Sequence, residues 1–237
     1  MVSERDRVLA ALSAEATSLE NALSGLSERE AVYTTRCPPW DVAALAVHTV
    51  GSLHQTTVAL EGPSPAAEEV SVSAFGYYRP EVRFSPEVNR ARVESAVEKA
   101  ARRSDAGEPG RVLGRVRREL SARLAVEPLD RTVRTRHGDA MTLTDYLVTR
   151  VMELSLHGLD LADALGRDPW ISPEGLVLVR DVLFGAADRD ALERVLPGVW
   201  DGGEATVAAV RAVTGRSSER VERSVLEAAG ARLPALG

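Results

Sequence analysis

Polar positions are scarce and aligned between residues 143 and 165. At about 100° per residue, Tyr146, Arg150, Glu153, His157 and Asp160 fall in one narrow stripe of a helix. Leu143, Leu147, Val151, Leu154, Leu161 and Leu165 run along one side of that stripe, and Met152, Leu156 and Leu159 along the other. A helix that is apolar on both flanks is a buried helix, so the pattern aims five polar groups into a core. Thr142-x-x-Asp145 gives this helix a capping-box-like start, and Gly166 stops it.

The same periodicity predicts the remaining elements. Val8, Leu9, Leu12, Ala16, Leu19 and Leu23 recur at helical spacing over residues 3–25. After Pro38-Pro39-Trp40, Asp41 is placed to N-cap a helix over 42–61 that ends at Gly62-Pro63. Residues 62–84, with their Pro, Ser and Gly, read as a long connector. Ser85-Pro86-Glu87 opens a helix to about Arg103 with proline at its first position. Residues 105–110 read as a turn, and helix resumes over 111–125. Between Asp130 and Ala140, the alternating Thr132-Val133-Arg134-Thr135-Arg136 and the turn-like His137-Gly138-Asp139 predict a short strand or hairpin. The fold class is therefore all-α: an antiparallel bundle of four or so helices over 1–168, then a small, mainly helical region over 169–237. Within that region Ser172-Pro173-Glu174 starts a helix, and segments near 188–196, 203–213 and 217–229 follow, broken by Pro197-Gly198 and Gly202-Gly203.

Bulk properties narrow the function. A chain of 237 residues, 44% hydrophobic, has room for a full-sized core and a smaller second unit. A net charge of −6 and a pI near 5.4 argue against nucleic-acid binding driven by phosphate neutralisation. No apolar run follows a basic start, and no stretch nears about 18 unbroken apolar residues. The expectation is a cytoplasmic protein with no membrane partner, monomeric or homodimeric. Cys37 is the single cysteine, which excludes an internal disulfide framework and a Cys-rich metal cluster. Thiol chemistry would need a thiol from outside, and Cys37, just before two prolines, reads as inert.

The stripe suggests a metal. Glu153 and His157, at i and i+4, offer a carboxylate oxygen and an imidazole nitrogen on one face, two thirds of a His₂Glu zinc site. Of the other histidines, His137 sits in the predicted turn, and His54 lies about 120° from His48 on the same helix. His48 has Ala44, Gly51, Ser52 and Gln55 beside it, so it is free to point into the bundle with space around it. Spacing makes His48, Glu153 and His157 the best trio. The competing readings are a simple hydrogen-bonded core histidine and a structural Arg150–Glu153 ion pair.

Two segments carry a family resemblance. Trp40-Asp-Val-Ala-Ala-Leu-Ala-Val-His48 resembles the W-[S/T/D]-V-x-x-L-x-x-H segment of the DinB-like superfamily. Arg150-x-x-Glu153-x-x-x-His157-x-x-Asp160-Leu161 resembles the R-x-x-E-x-x-x-H-x-x-D-L segment of its mycothiol-dependent maleylpyruvate isomerase branch. The likeness spans roughly residues 5–166. It implies a DinB-like four-helix bundle holding a divalent metal, usually zinc, through His48, Glu153 and His157, with mycothiol as thiol cosubstrate. Three protein ligands leave a fourth position open, as in catalytic zinc sites, and a thiol bound there is held as thiolate. Such a thiolate either adds to the double bond of a maleyl-type acid and leaves after rotation, or attacks an electrophile and stays attached. The implied partner is therefore a small electrophilic or unsaturated acid. The alternatives are a mycothiol S-transferase in detoxification or natural-product biosynthesis, and a non-enzymatic helical binding module that a metal only stabilises.

Further roles follow from position. Asp160, one turn beyond His157, is placed to accept the other imidazole N–H, or is merely a polar residue near the helix end. Arg150 is placed to orient Glu153, to meet an anionic substrate, or to form a structural pair. Arg79 and Arg83 in the connector either clamp a substrate carboxylate over the bundle mouth or form a solvated face. Tyr146 reads as core, and Trp40 as packing where its helix begins. One departure stands out: many members of the isomerase branch have a mixed α/β C-terminal domain, whereas residues 170–237 read as helical.

Overall fold

The computed structural model describes residues 3–78, 85–128, 130–217 and 221–233. Helix α1 (Glu4–Ser24) begins with a capping box, in which the Ser3 hydroxyl accepts the Asp6 N–H and the Asp6 carboxylate accepts the Ser3 N–H. A second box, Ser27 with Glu30, opens a one-turn helix α2 (Glu28–Ala31) that periodicity alone is too short to reveal. Helix α3 (Val42–Glu61) has the expected cap, the Asp41 carboxylate accepting the Ala44 N–H at 2.8 Å. The connector contains two short 3₁₀ turns, Ala67–Glu69 and Gly76–Tyr78, before α4 (Pro86–Ala101).

Helix α5 (Glu108–Leu124) starts earlier than Pro109-Gly110 suggests. Proline needs no N–H partner in a first turn. Gly110 serves packing here, since a Cβ on it would lie 2.4 Å from the backbone nitrogen of Ser24. Residues that resemble a turn are therefore the start of a helix pressed against the end of α1.

Strands β1 (Thr132–Arg134) and β2 (Ala140–Thr142) form the expected antiparallel hairpin, with Val133 opposite Met141. The hairpin runs straight into α6 (Leu143–Leu165), because Thr142 ends β2 and also caps α6 by accepting the Asp145 N–H at 3.0 Å. Gly166, at φ 62°, closes α6 in the left-handed conformation that glycine adopts without strain. Then come α7 (Pro173–Phe184), α8 (Arg189–Val195), α9 (Glu204–Val213) and α10 (Arg223–Ala228). No strand occurs among the described residues after 169.

Helices α1 and α3 each pack against α5 and α6, which makes a four-helix bundle with α4 laid against α3. Helix α7 covers α1 and α6, and α9 packs on α7. Helix α6 therefore has neighbours on three sides, and every residue from Tyr146 to Ala162 is buried. This is why both flanks of its polar stripe are apolar: α6 packs on the bundle helices and also on the covering helix α7. Leu176, Val179, Leu183 and Phe184 of α7 join the same buried cluster as the bundle leucines. Among the described residues no helix is long and apolar enough to cross a membrane.

Candidate metal centre

Because α3 and α6 are neighbours, the second turn of one faces the middle of the other. His48 Nε2 lies 3.9 Å from Glu153 Oε2, and His157 Nε2 lies 3.5 Å from the same oxygen. The imidazole rings of His48 and His157 meet edge to face, with centroids 5.2 Å apart. One donor atom from each of the three residues falls within 4.8 Å of the others. Ligand atoms about 2.0–2.1 Å from a tetrahedral cation lie roughly 3.4 Å from one another. The two distances to Glu153 Oε2, 3.5 and 3.9 Å, lie close to that separation. Two nitrogens and one carboxylate oxygen also match the chemistry of such a site.

Trp40 holds the outer histidine. Its ring stacks on that of His48 at 4.5 Å with 26° between planes, so it does more than pack where α3 begins. The W-x₇-H spacing is a physical unit: the tryptophan at the start of α3 covers the imidazole two turns later.

His157 is fixed from its other side. Its Nδ1–H donates to Asp160 Oδ2 at 3.1 Å, which leaves Nε2 directed toward Glu153 and His48. Burial alone would lower the pKa of His157. The bonds with Asp160, Cys37 and Glu153 outweigh burial and push it up to about 10. Asp160 is fully buried; burial would raise its pKa, but His157 and Arg216 hold the carboxyl well below the usual range.

Cys37 is part of these surroundings. Its Sγ lies 3.6 Å from Asp160 Oδ2. Cys37, His157 and Asp160 form a second convergent group, but the guanidinium of Arg216, 2.7 Å from that carboxylate, already supplies the positive charge there. Of the two groups, the one on the Glu153 side is the candidate cation site.

Arg150 is buried between the aromatic rings of Tyr146 and Tyr77, its guanidinium carbon 4.7 and 5.4 Å from their centroids. It donates to the Ser52 carbonyl at 3.1 Å and to the Thr149 hydroxyl at 2.9 Å. The bond to Ser52 ties α6 to α3 beside His48 and Glu153. Burial raises the pKa of Tyr146, which keeps it a neutral phenol. A narrow cleft with a cavity volume of about 20 Å³ opens beside His48 and Glu153. His48 and Glu153 form part of its lining, along with Tyr77, Arg92, Arg136, His137 and Arg150.

The structure thus gathers His48, Glu153, His157, Asp160 and Arg150 in one place, and leaves His54 exposed on the far side of α3. His137, assigned only to a turn by its sequence, lines the cleft because the hairpin folds over it. Arg79 and Arg83 lie outside the described residues. Sequence reasoning missed Arg216 and the placement of Cys37. Thr214-Gly215-Arg216 reads as a helix stop, and nothing in that motif names the carboxylate it reaches.

The sequence model described as the mycothiol maleylpyruvate isomerase N-terminal domain matches residues 12–162. No curated protein and no solved structure matches the chain. The matched span contains the whole bundle from the middle of α1 nearly to the end of α6, with both the Trp40–His48 and the Arg150–Asp160 segments. The chain therefore belongs to the mycothiol maleylpyruvate isomerase family.

Proposed function

We propose that this protein is a metal-dependent enzyme that uses mycothiol as thiol cosubstrate on a small unsaturated or electrophilic acid, by cis–trans isomerisation or by thiol transfer. His48, Glu153 and His157 would hold the cation, and the donor set favours zinc. The observation that carries this reading is the convergence of two imidazole nitrogens and one carboxylate oxygen within 4.8 Å at the edge of a cleft. When bound, the cation supplies a lowered thiol pKa, so that a weak nucleophile becomes a competent one at neutral pH.

The chain's own residues do the rest. Asp160 holds the His157 tautomer that presents Nε2, and Trp40 restrains the His48 ring. Glu153 brings a negative charge that offsets part of the charge of a divalent ion. Arg92 of α4, Arg136 of the hairpin and Arg150 of α6 line the cleft, and their charges favour an acid substrate over a neutral one. Cys37 faces Asp160, so the reactive thiol in this scheme comes from mycothiol.

The test is turnover by the zinc-loaded protein with mycothiol and a panel of unsaturated acids and alkylating electrophiles, followed both as cis–trans conversion of the acid and as thiol consumption. The proposal expects mycothiol-dependent turnover that is lost in Glu153→Ala. Turnover with glutathione but none with mycothiol would overturn the cosubstrate. A protein that binds metal yet neither isomerises an acid nor consumes thiol would be a metal-stabilised helical module instead. The same donor set serves a thiolate that stays attached to its electrophile, so a mycothiol S-transferase in detoxification or natural-product biosynthesis is the second reading.

A further inference from the structure

We infer that Arg216, which lies outside the span matched by the family model, is a positioning residue for the metal centre. It would act through Asp160 on His157; this rests on the metal reading above. Helix α9 ends at Val213 with Thr214 as its C-cap, and Gly215, at φ +68°, turns the chain back. The Arg216 N–H then closes onto the Arg211 carbonyl at 2.7 Å, a six-residue helix-end ring that fixes the direction of the arginine. Arg36 of the bundle donates to the Gly215 carbonyl and holds this turn from outside.

So directed, Arg216 enters the buried end of the polar stripe on α6. Its Nε donates to Asp160 Oδ1 at 2.9 Å and its Nη2 to Oδ2 at 2.7 Å, with side chains 2% and 0% exposed. Oδ2 also accepts the His157 Nδ1–H. A two-point fork fixes the plane of a carboxylate as well as its position. The plane of the Asp160 carboxylate sets the tilt of the imidazole, and with it the direction of Nε2. A relay from the C-terminal region therefore ends on an atom placed to ligate the cation.

Simple docking of the C-terminal helices does not need this pair. Arg211 already bridges α9 to α6 through Asp163, at 2.6 and 2.7 Å. That ion pair touches no candidate ligand, so it is a control for docking alone.

The experiment measures zinc affinity by chelator competition, and the absorption spectrum of the cobalt(II)-loaded protein, for wild type, Arg216→Ala, Arg216→Lys and Arg211→Ala. Circular dichroism checks each fold. Loss of a group that orients a metal-ligating histidine typically costs about 10–100-fold in affinity. That loss and an altered cobalt spectrum are expected in Arg216→Ala. Arg216→Lys keeps the charge without the fork, and should recover part of the affinity with the spectrum still altered. Arg211→Ala should bind zinc like wild type. If Arg216→Ala does not fold, Arg216→Lys decides alone: a wild-type spectrum and affinity would overturn the inference. Equal losses in Arg211→Ala and Arg216→Ala would overturn it too, by assigning the effect to docking. A wild type that binds no divalent cation would overturn the metal reading itself, and the positioning role with it.

Discussion

Replacing Asp160 by Asn tests how the buried end of the polar stripe is held together. The amide keeps the shape of the carboxylate, so no cavity opens, but it keeps one acceptor oxygen where two serve Arg216 and His157. Arg216 would be left 2% exposed with no countercharge at 2.7 Å. Breaking a buried ion pair from one side costs about 3–5 kcal/mol, because the remaining charge stays desolvated. In a chain of this size about 1 kcal/mol moves the melting temperature by roughly 2–4 °C. The metal-free Asp160→Asn protein should therefore melt about 6–20 °C below wild type. Thermal unfolding followed by circular dichroism in excess chelator, near neutral pH, measures this directly. The double variant Asp160→Asn/Arg216→Gln should lose much less than the sum of the singles, since neither then leaves a buried charge. A melting shift under about 2 °C in Asp160→Asn would refute the reasoning.

Other outcomes follow from other parts of the fold. Trp40 stacks 4.5 Å from the His48 ring, so cobalt(II) should quench its fluorescence on binding; Trp40→Phe should remove most of that quenching while Trp170 and Trp200 remain. Quenching of equal size in Trp40→Phe would place the ion elsewhere. Gly110→Ala should lose about 1–3 kcal/mol in urea unfolding, because the new Cβ meets Ser24 backbone at 2.4 Å; an unchanged midpoint would mean that α1 and α5 are not in such close contact. Glu30 accepts the Ser27 hydroxyl and N–H and a bond from Arg167, which together pull its pKa down from 4.5 to about 2. A carboxyl depressed by folding stabilises above its unfolded pKa, and that stabilisation is lost as pH falls through the folded value. Glu30→Gln should then be less stable than wild type at neutral pH, the difference shrinking between about pH 4.5 and 2. A difference independent of pH would show that the charge of Glu30 contributes nothing.

Much of the bundle was legible because its signals are local. Asp41 and Thr142 cap the helices whose starts they mark, and Gly166 ends α6 as a left-handed glycine must. The boundaries failed where tertiary contact overrode local meaning, as at Pro109-Gly110, where close approach to α1 turned a turn signal into a helix. The trio was legible in part: Glu153 and His157 share a face by spacing, but only the adjacency of α3 and α6 brings His48 to them. Helical periodicity says which way a side chain points, not which helix it meets. The same limit hid Arg216, whose partner is 56 residues away in sequence, and His137, which reaches the cleft only because the hairpin folds back. The apolar second flank of α6 was visible as a pattern, and its cause is the covering helix α7.

The account stands on one cation shared by His48, Glu153 and His157, and its most direct test is metal content. Purified wild-type protein, His48→Ala and Glu153→Ala should be loaded with zinc, passed through a desalting column and assayed for bound metal, with affinities from chelator competition. The account predicts about one zinc per wild-type chain and at least a tenfold weaker affinity in each variant. Equal zinc content in all three proteins would contradict it.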